Sequence, residues 1–274
     1  MKRKIQTILL AFFVLFAPIA AIASESLIEQ IAREENAFRR SIFDKQVKVS
    51  ATQIVRGGLQ KSTGGTGVIV GRESQNDKEI FYIITAAHVL GEDEKTLKEA
   101  SLQVIFPTKE SFATGSSSHY PAELLFFNWF LEYAFLKVEV PLSDKDNLDV
   151  QVATIYQKIP EFLHEFWVSG FYKGKYLVAN KSYLSRMFTN ETGTYSNDVP
   201  YLIALNLYFI ASGVNGPGMS GGGIFNLKGE LVALIWAVEG QNIIVAIPAL
   251  LIKEDFTKKL KSLDQKQEKQ ESQK

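Results

Sequence analysis

From Val49 to Ile247 the chain is a succession of short runs rich in Val, Ile, Phe, Tyr and Thr, broken by clusters of Gly, Asn, Ser and Pro. The runs include Val49–Val55, Thr66–Val70, Ile80–Thr85, Leu102–Phe106, Leu131–Val138, Tyr201–Ile210, Glu230–Ala237 and Ile243–Ile247. Many short strands with frequent turn signals argue for an all-β barrel or sandwich rather than for βαβ units. About 200 residues of this pattern are enough for two small barrels. Pro141–Leu148, polar and loop-like, is the natural link between the halves. Hydrophobic residues make up 46% of the 274, so the core can be sizeable.

The two ends follow other rules. Lys2, Arg3 and Lys4 form a positive segment, Ile8–Ile19 an apolar one, and Ala21-Ile22-Ala23 a small-residue cleavage site. This is the pattern of a signal peptide over residues 1–23, with a mature start at Ser24. The apolar run is short for a membrane span of about 20 residues. The mature protein is therefore expected in a periplasm or outside the cell, free of the membrane. Residues 24–47 read as a helical segment. Ser26 and Glu29 have the capping-box spacing, and Leu27, Ile28, Ile31, Phe38 and Ile42 lie near one stripe. Such a helix either packs on the domain surface or makes an oligomer contact. Residues 48–256 hold the strands, divided at about 48–140 and 149–250. Leu250–Leu263 suits a short final helix. Within the polar tail, 257–274, the stretch Asp264–Lys274 is nearly all Gln, Lys, Glu and Ser and cannot offset its ordering entropy by burial.

There is no cysteine, which excludes disulfides, thiolate metal sites and a cysteine nucleophile. An exported chain without disulfides points to a bacterial source. Thirty Lys and Arg balance thirty Asp and Glu, so charge makes no case for a nucleic-acid partner. His88, His119 and His164 lack the spacing of metal ligands, and no metal site is expected.

The segment richest in chemistry is Gly216-Pro217-Gly218-Met219-Ser220-Gly221-Gly222. A serine hydroxyl is a weak nucleophile that needs a partner base and backbone donors aimed at the oxyanion it creates. Glycines beside it let the chain turn so that neighbouring N–H groups point into one small space, and they leave room for a substrate backbone. Gly223-Ile224-Phe225 and the turn Asn226-Leu227-Lys228-Gly229 follow, which puts Ser220 on a tight loop entering a hairpin. The second element is Thr85-Ala86-Ala87-His88-Val89-Leu90, where an apolar strand delivers a histidine to a loop. Histidine is the usual general base because its ordinary pKa lies near neutrality.

Together these segments resemble the trypsin-like serine peptidases, in which T-A-A-H carries the catalytic histidine and G-x-S-G-G the nucleophile. The likeness is nearer to bacterial cysteine-free peptidases of the Deg/HtrA type. Gly65-Thr66-Gly67-Val68-Ile69-Val70 matches their strand before the histidine, and Pro217–Gly222 followed by Asn226–Gly229 matches their nucleophile segment. The likeness spans about residues 48–250, and no PDZ domain is expected after it. It implies two antiparallel six-stranded β-barrels of the chymotrypsin-like fold, flanked by the N-terminal and C-terminal helices.

The resemblance also implies the site. The family's third residue is an aspartate opening a D-L-A-L-L-type strand, and here Glu132 stands at that place in Leu131–Val138. A glutamate can accept the bond from Nδ1–H of His88 and hold the tautomer, provided its extra methylene is housed; a misplaced acid costs up to about 10⁴ in rate. The oxyanion hole falls to the N–H groups of Gly218 and Ser220, with Met219 between them. Val214 stands where the family's primary pocket often carries its selecting residue. No acid stands beside it, so small or apolar side chains are expected rather than Lys or Arg. Trp236 either lines that pocket or belongs to the core. The aromatic-rich run Leu124–Phe130 is read as a core segment in preference to a partner-binding surface.

The implied activity is hydrolysis of protein or peptide substrates through an acyl-enzyme on Ser220, with no cofactor. The alternative is a protease fold that has lost catalysis and binds peptides or a partner protein. Glu132 and Met219 are its support, and the two readings part on whether Glu132 meets His88.

Overall fold

A computed structural model describes residues 27–54, 59–108, 117–162, 164–189, 205–240 and 242–259. The signal peptide, Ser26 and the polar stretch 264–274 lie outside the described residues. Strands β1 (Gln46–Ile54), β2 (Gln60–Gln75), β3 (Lys78–Ala86), β4 (Ser101–Pro107), β5 (Ser117–Asn128) and β6 (Tyr133–Pro141) close a barrel in the order β1-β2-β3-β6-β5-β4. Strands β7 (Glu165–Tyr172), β8 (Tyr176–Thr189), β9 (Leu205–Ala211), β10 (Gly223–Phe225), β11 (Leu231–Glu239) and β12 (Ile243–Pro248) close a second in the order β10-β11-β12-β9-β8-β7. This is the pair of six-stranded barrels that the resemblance implied.

Each barrel is filled by the inward half of its strands. β1 and β4 alternate buried and exposed side chains along most of their length, the period of a half-buried strand. Barrel one packs Val47, Val49, Ile69, Phe81, Ile83 and Phe106 into one cluster, with the Phe81 and Phe106 rings 5.1 Å apart. Barrel two packs Phe166, Leu207, Phe209, Ile224 and Ile235, with Phe166 edge-on to Phe209 at 5.4 Å.

Several elements differ from the sequence reading. β5 takes up most of Leu124–Phe130, and its inward side chains are only half-buried. β7 and β8 join around a tight turn at 173–175 and were not among the expected runs. β6 begins at Tyr133, so Glu132 lies in the turn before the strand and not at its head. The expected link 141–148 is only the start of the crossover. Residues 149–156 stitch the barrels together: Ala153 N donates to Ile69 O at 2.7 Å, and Leu231 N donates to Thr154 O at 2.7 Å.

Four α-helices, α1 (27–43), α2 (Ala87–Leu90), α3 (Glu94–Glu99) and α4 (249–259), and a 3-10 turn at Lys145–Asn147 complete the described residues. In α1 the expected stripe is not buried at its start, since Leu27, Ile28 and Ile31 are exposed. α4 lies against β6, with Phe256 stacked on Phe135 at 3.7 Å. Among the described residues no helix is long and apolar enough to cross a membrane.

Candidate active site

β3 is buried along nearly its whole length and delivers the chain to α2. His88 is the second residue of α2, between the buried Ala87 and Val89, and its ring is partly exposed. The other three residues of α2 are buried, which leaves the imidazole as its one partly exposed side chain.

Glu132 meets that ring. Its Oε2 lies 3.2 Å from His88 Nδ1 and also accepts from the His88 backbone N–H at 3.3 Å. Its carbonyl accepts from Ala87 N at 3.1 Å. Glu132 sits at φ 53°, a left-handed backbone uncommon for a residue with a Cβ. The cause is local. Leu131 and Tyr133 on either side are fully buried. Asn128 Oδ1 accepts from Leu131 N at 3.0 Å, which closes the turn. Asn128 Nδ2 and the Tyr133 hydroxyl both donate to Asp255 Oδ2 of α4, at 2.8 and 2.5 Å. Burial, with the Asp255 carboxylate second, holds the Tyr133 phenol far above its usual pKa. Glu132 thus reaches His88 from a turned backbone just before β6.

Ser220 lies on the loop between β9 and β10. Gly218, at φ 91°, could not carry a Cβ, which would stand 2.4 Å from Phe171 O; a Cβ on Gly221, at φ 81°, would stand 2.0 Å from Thr66 O. The same packing brings the serine loop to the histidine. Gly221 also faces Thr85 Oγ1 and Ala86 N, and Gly65 is held between Ser220 O and the Val89 side chain. Among the described residues His88 and Ser220 share no hydrogen bond. Ser220 Oγ donates a long bond, 3.5 Å, to Trp236 O.

The loop sorts its N–H groups. Met219 N donates to Gly216 O at 3.3 Å, Gly221 N to Ile235 O at 2.7 Å and Gly222 N to Met219 O at 2.8 Å. Gly218 N and Ser220 N donate to no acceptor among the described residues, and Pro217 O points the other way, to Lys173 N at 2.6 Å. Two free donors on a turn with one residue between them are what an oxyanion hole requires. Met219 is fully buried in the barrel-two core and presents no side chain to the site.

Thr66 holds this loop in place, and the sequence reading had it only as part of a strand match. Its N donates to Ser220 O at 2.8 Å, its Oγ1 donates to Gly218 O at 2.9 Å and accepts from Phe171 N at 2.8 Å, and its O accepts from Thr85 Oγ1 at 2.7 Å. A hydroxyl between two glycines was the only signal for it.

The two pocket candidates separate. Val214 is exposed, and its carbonyl accepts from Asn180 Nδ2 at 2.8 Å, which orders residues 213–215. Trp236 is the extra residue of a bulge between Ile235 and Ala237. The bulge turns its indole onto the barrel-one cluster, with the buried Nε1–H unpartnered among the described residues. Trp236 therefore packs between the barrels.

A family model described as a trypsin-like peptidase domain matches residues 65–234. Among solved structures, the active form of the Rv3671c protease from M. tuberculosis is 15% identical at a TM-score of 0.55, over 80% of this chain and 82% of that one. Its inactive form is 15% identical at 0.56, over 83% and 94%. Deg5 is 12% identical at 0.58, over 81% and 92%. At these identities the likeness is one of fold. The comparison with curated proteins finds no match.

Proposed function

The chain belongs to the trypsin-like peptidase family, and from that premise we propose that it is a serine endopeptidase with Ser220 as nucleophile, His88 as general base and Glu132 as the acid that orients the base. The observation that carries the reading is the contact of Glu132 Oε2 with His88 Nδ1 at 3.2 Å. A carboxylate accepting from both the ring Nδ1–H and the backbone N–H fixes the tautomer with its lone pair on Nε2. That nitrogen removes the Ser220 proton as Oγ attacks the substrate carbonyl. The N–H groups of Gly218 and Ser220 take up the charge of the oxyanion. The imidazolium then protonates the leaving amine, and water, activated by the same nitrogen, releases the acyl group. Ser220 Oγ rests on Trp236 O at 3.5 Å, and the reading requires that the hydroxyl turn to Nε2 when substrate binds. Catalytic hydrogen bonds are commonly long until substrate binds.

The mature protein works outside the cytoplasm, on the strength of Lys2–Lys4, Ile8–Ile19 and Ala21-Ile22-Ala23. Protein recovered from a periplasm or medium is expected to begin at Ser24 by N-terminal sequencing; a retained Met1 would refute export by cleavage. No acid stands within 212–216, which favours small or apolar side chains before the scissile bond.

The test of catalysis is fluorophosphonate labelling of the purified mature protein beside Ser220→Ala and Glu132→Ala. Labelling lost in the first and weakened in the second is the expected result. Folded wild-type protein that takes no label would favour the second reading, a binding module, for which the resting contact of Ser220 with Trp236 is the specific support.

A further inference from the structure

Beside Gly218 the surface opens into a hollow of about 490 Å³ that carries three lysines, Lys48, Lys173 and Lys175, and no acidic residue. Lys48 comes from β1 of barrel one. Its Cε reaches across to Gly174, 3.9 Å from where a Cβ would stand. Lys173 and Lys175 flank that glycine in the β7–β8 turn. Consecutive left-handed residues, Lys173 at φ 52° and Gly174 at φ 63°, shape the turn.

The turn is fastened to the loop that carries the free N–H groups. Lys173 N donates to Pro217 O at 2.6 Å. A Cβ on Gly218 would stand 2.5 Å from Gly174 N. The positive charges are therefore held at the edge of the site. They are also unspent. Lys61, Lys78, Lys98 and Lys137 each pair with a glutamate. Among the described residues Lys48, Lys173 and Lys175 pair with none, and Lys173 Nζ lies over its neighbour's ring, 5.2 Å from the Tyr172 centroid. Like charges around a concave wall focus their field into it.

We propose that this hollow receives the leaving-group half of a peptide substrate and selects Asp or Glu just beyond the scissile bond. The inference rests on the peptidase reading for its direction. With the primary side chain toward Val214 and the scissile carbonyl on Gly218 N and Ser220 N, the chain beyond that bond runs over Pro217 and Gly218 into the hollow. Neither Trp236 nor any residue of 212–216 lines it. Ser50 and Thr63 lie on its barrel-one wall with Lys48, the Thr63 hydroxyl donating to Val89 O at 2.8 Å.

The experiment uses peptides identical except for Asp-Glu, Asn-Gln or Lys-Lys after the cleaved bond. Two readouts are taken: kcat/KM with the wild-type protein, and fluorescence anisotropy with Ser220→Ala. The acidic peptide is expected to be preferred over the amide peptide about fivefold, the sum of two or three exposed ion pairs. The preference should shrink in high salt, vanish in Lys48→Ala/Lys173→Ala/Lys175→Ala and reverse in Lys173→Glu/Lys175→Glu, with melting temperatures unchanged. Equal affinity for all three peptides would overturn the proposal. So would a preference that survives the triple alanine variant, or displacement of the acidic peptide by an equal concentration of inorganic phosphate. If wild-type protein cleaves nothing and takes no fluorophosphonate, the catalytic reading fails by itself. Anisotropy with Ser220→Ala then still decides whether the hollow is an acidic-peptide site.

Discussion

Single atoms do most of the positioning at this site. Glu132 holds His88 through one oxygen at 3.2 and 3.3 Å, from a backbone turned to φ 53°. That backbone is fitted to a glutamate. Glu132→Asp, although it restores the family's usual acid, withdraws the carboxylate by one methylene from bonds that are already long. A displacement near 1 Å can cost about 10²-fold in rate, so Glu132→Asp is expected to lower kcat by roughly tenfold to a hundredfold with KM little changed. A kcat at or above wild type would show that the turn adapts. Thr66 works in the same way on the serine loop. Thr66→Val leaves Gly218 O and Phe171 N, both part-buried, without their hydroxyl partner, at no more than about 1–3 kcal/mol for each group. The variant should melt earlier and label more slowly with fluorophosphonate, and Thr66→Ser should restore both. If Thr66→Ser behaves like Thr66→Val, the hydroxyl alone does not hold the loop and the methyl group is needed as well.

Among elements, α4 has a task beyond covering barrel one. Its apolar residues Ile252 and Phe256 dock on the barrel, and Asp255 between them reaches the turn that carries Glu132. Asp255→Ala leaves the Tyr133 hydroxyl and Asn128 Nδ2 without their acceptor. At about 1–3 kcal/mol and roughly 2–4 °C per kcal/mol for a chain of this size, a fall of several degrees in melting temperature is expected. Adding Tyr133→Phe should recover part of it, because it removes the orphaned buried donor. A double variant that melts lower still would argue that the ring's fit, rather than its hydroxyl, ties α4 to the turn. The β7–β8 turn is the second such element, clamped to Pro217 on one side and carrying the lysines on the other.

For the molecule as a whole, acid should be destabilising, and one buried carboxylate shows the sign. Glu79 is buried on β3. The Arg72 guanidinium, then the Ser74 hydroxyl, hold its pKa below the usual value. A group depressed in the folded state contributes stability that is complete above its unfolded pKa, about 4.3, and is lost as pH falls through the folded value. Unfolding midpoints in denaturant should therefore drop as pH is lowered from about 5, and Glu79→Gln should flatten that slope. An unchanged slope would assign the acid sensitivity to other carboxylates. Glu139, held down to about 2 by Lys137 and then Lys78, is exposed, and screening limits what it adds.

The residue pattern by itself determined the all-β character, because a two-residue period and turn-forming clusters are local properties. It also placed the serine between glycines and the histidine at a strand end, because those conformational demands are local too. β7 and β8 were missed, since closure of the second barrel and not local periodicity makes them strands. Trp236 was ambiguous because a one-residue bulge decides which way an indole points. The roles of Thr66, Asp255 and the three lysines belong to tertiary structure. Thr66 and Gly218 are 152 residues apart in the chain, and Tyr133 and Asp255 are 122 apart. Asp255 left one trace, an acid on the apolar stripe of Ile252 and Phe256, which must find a buried donor. The lysines left none, because a charge at the surface carries no signal of what it faces until the barrels have closed around the site.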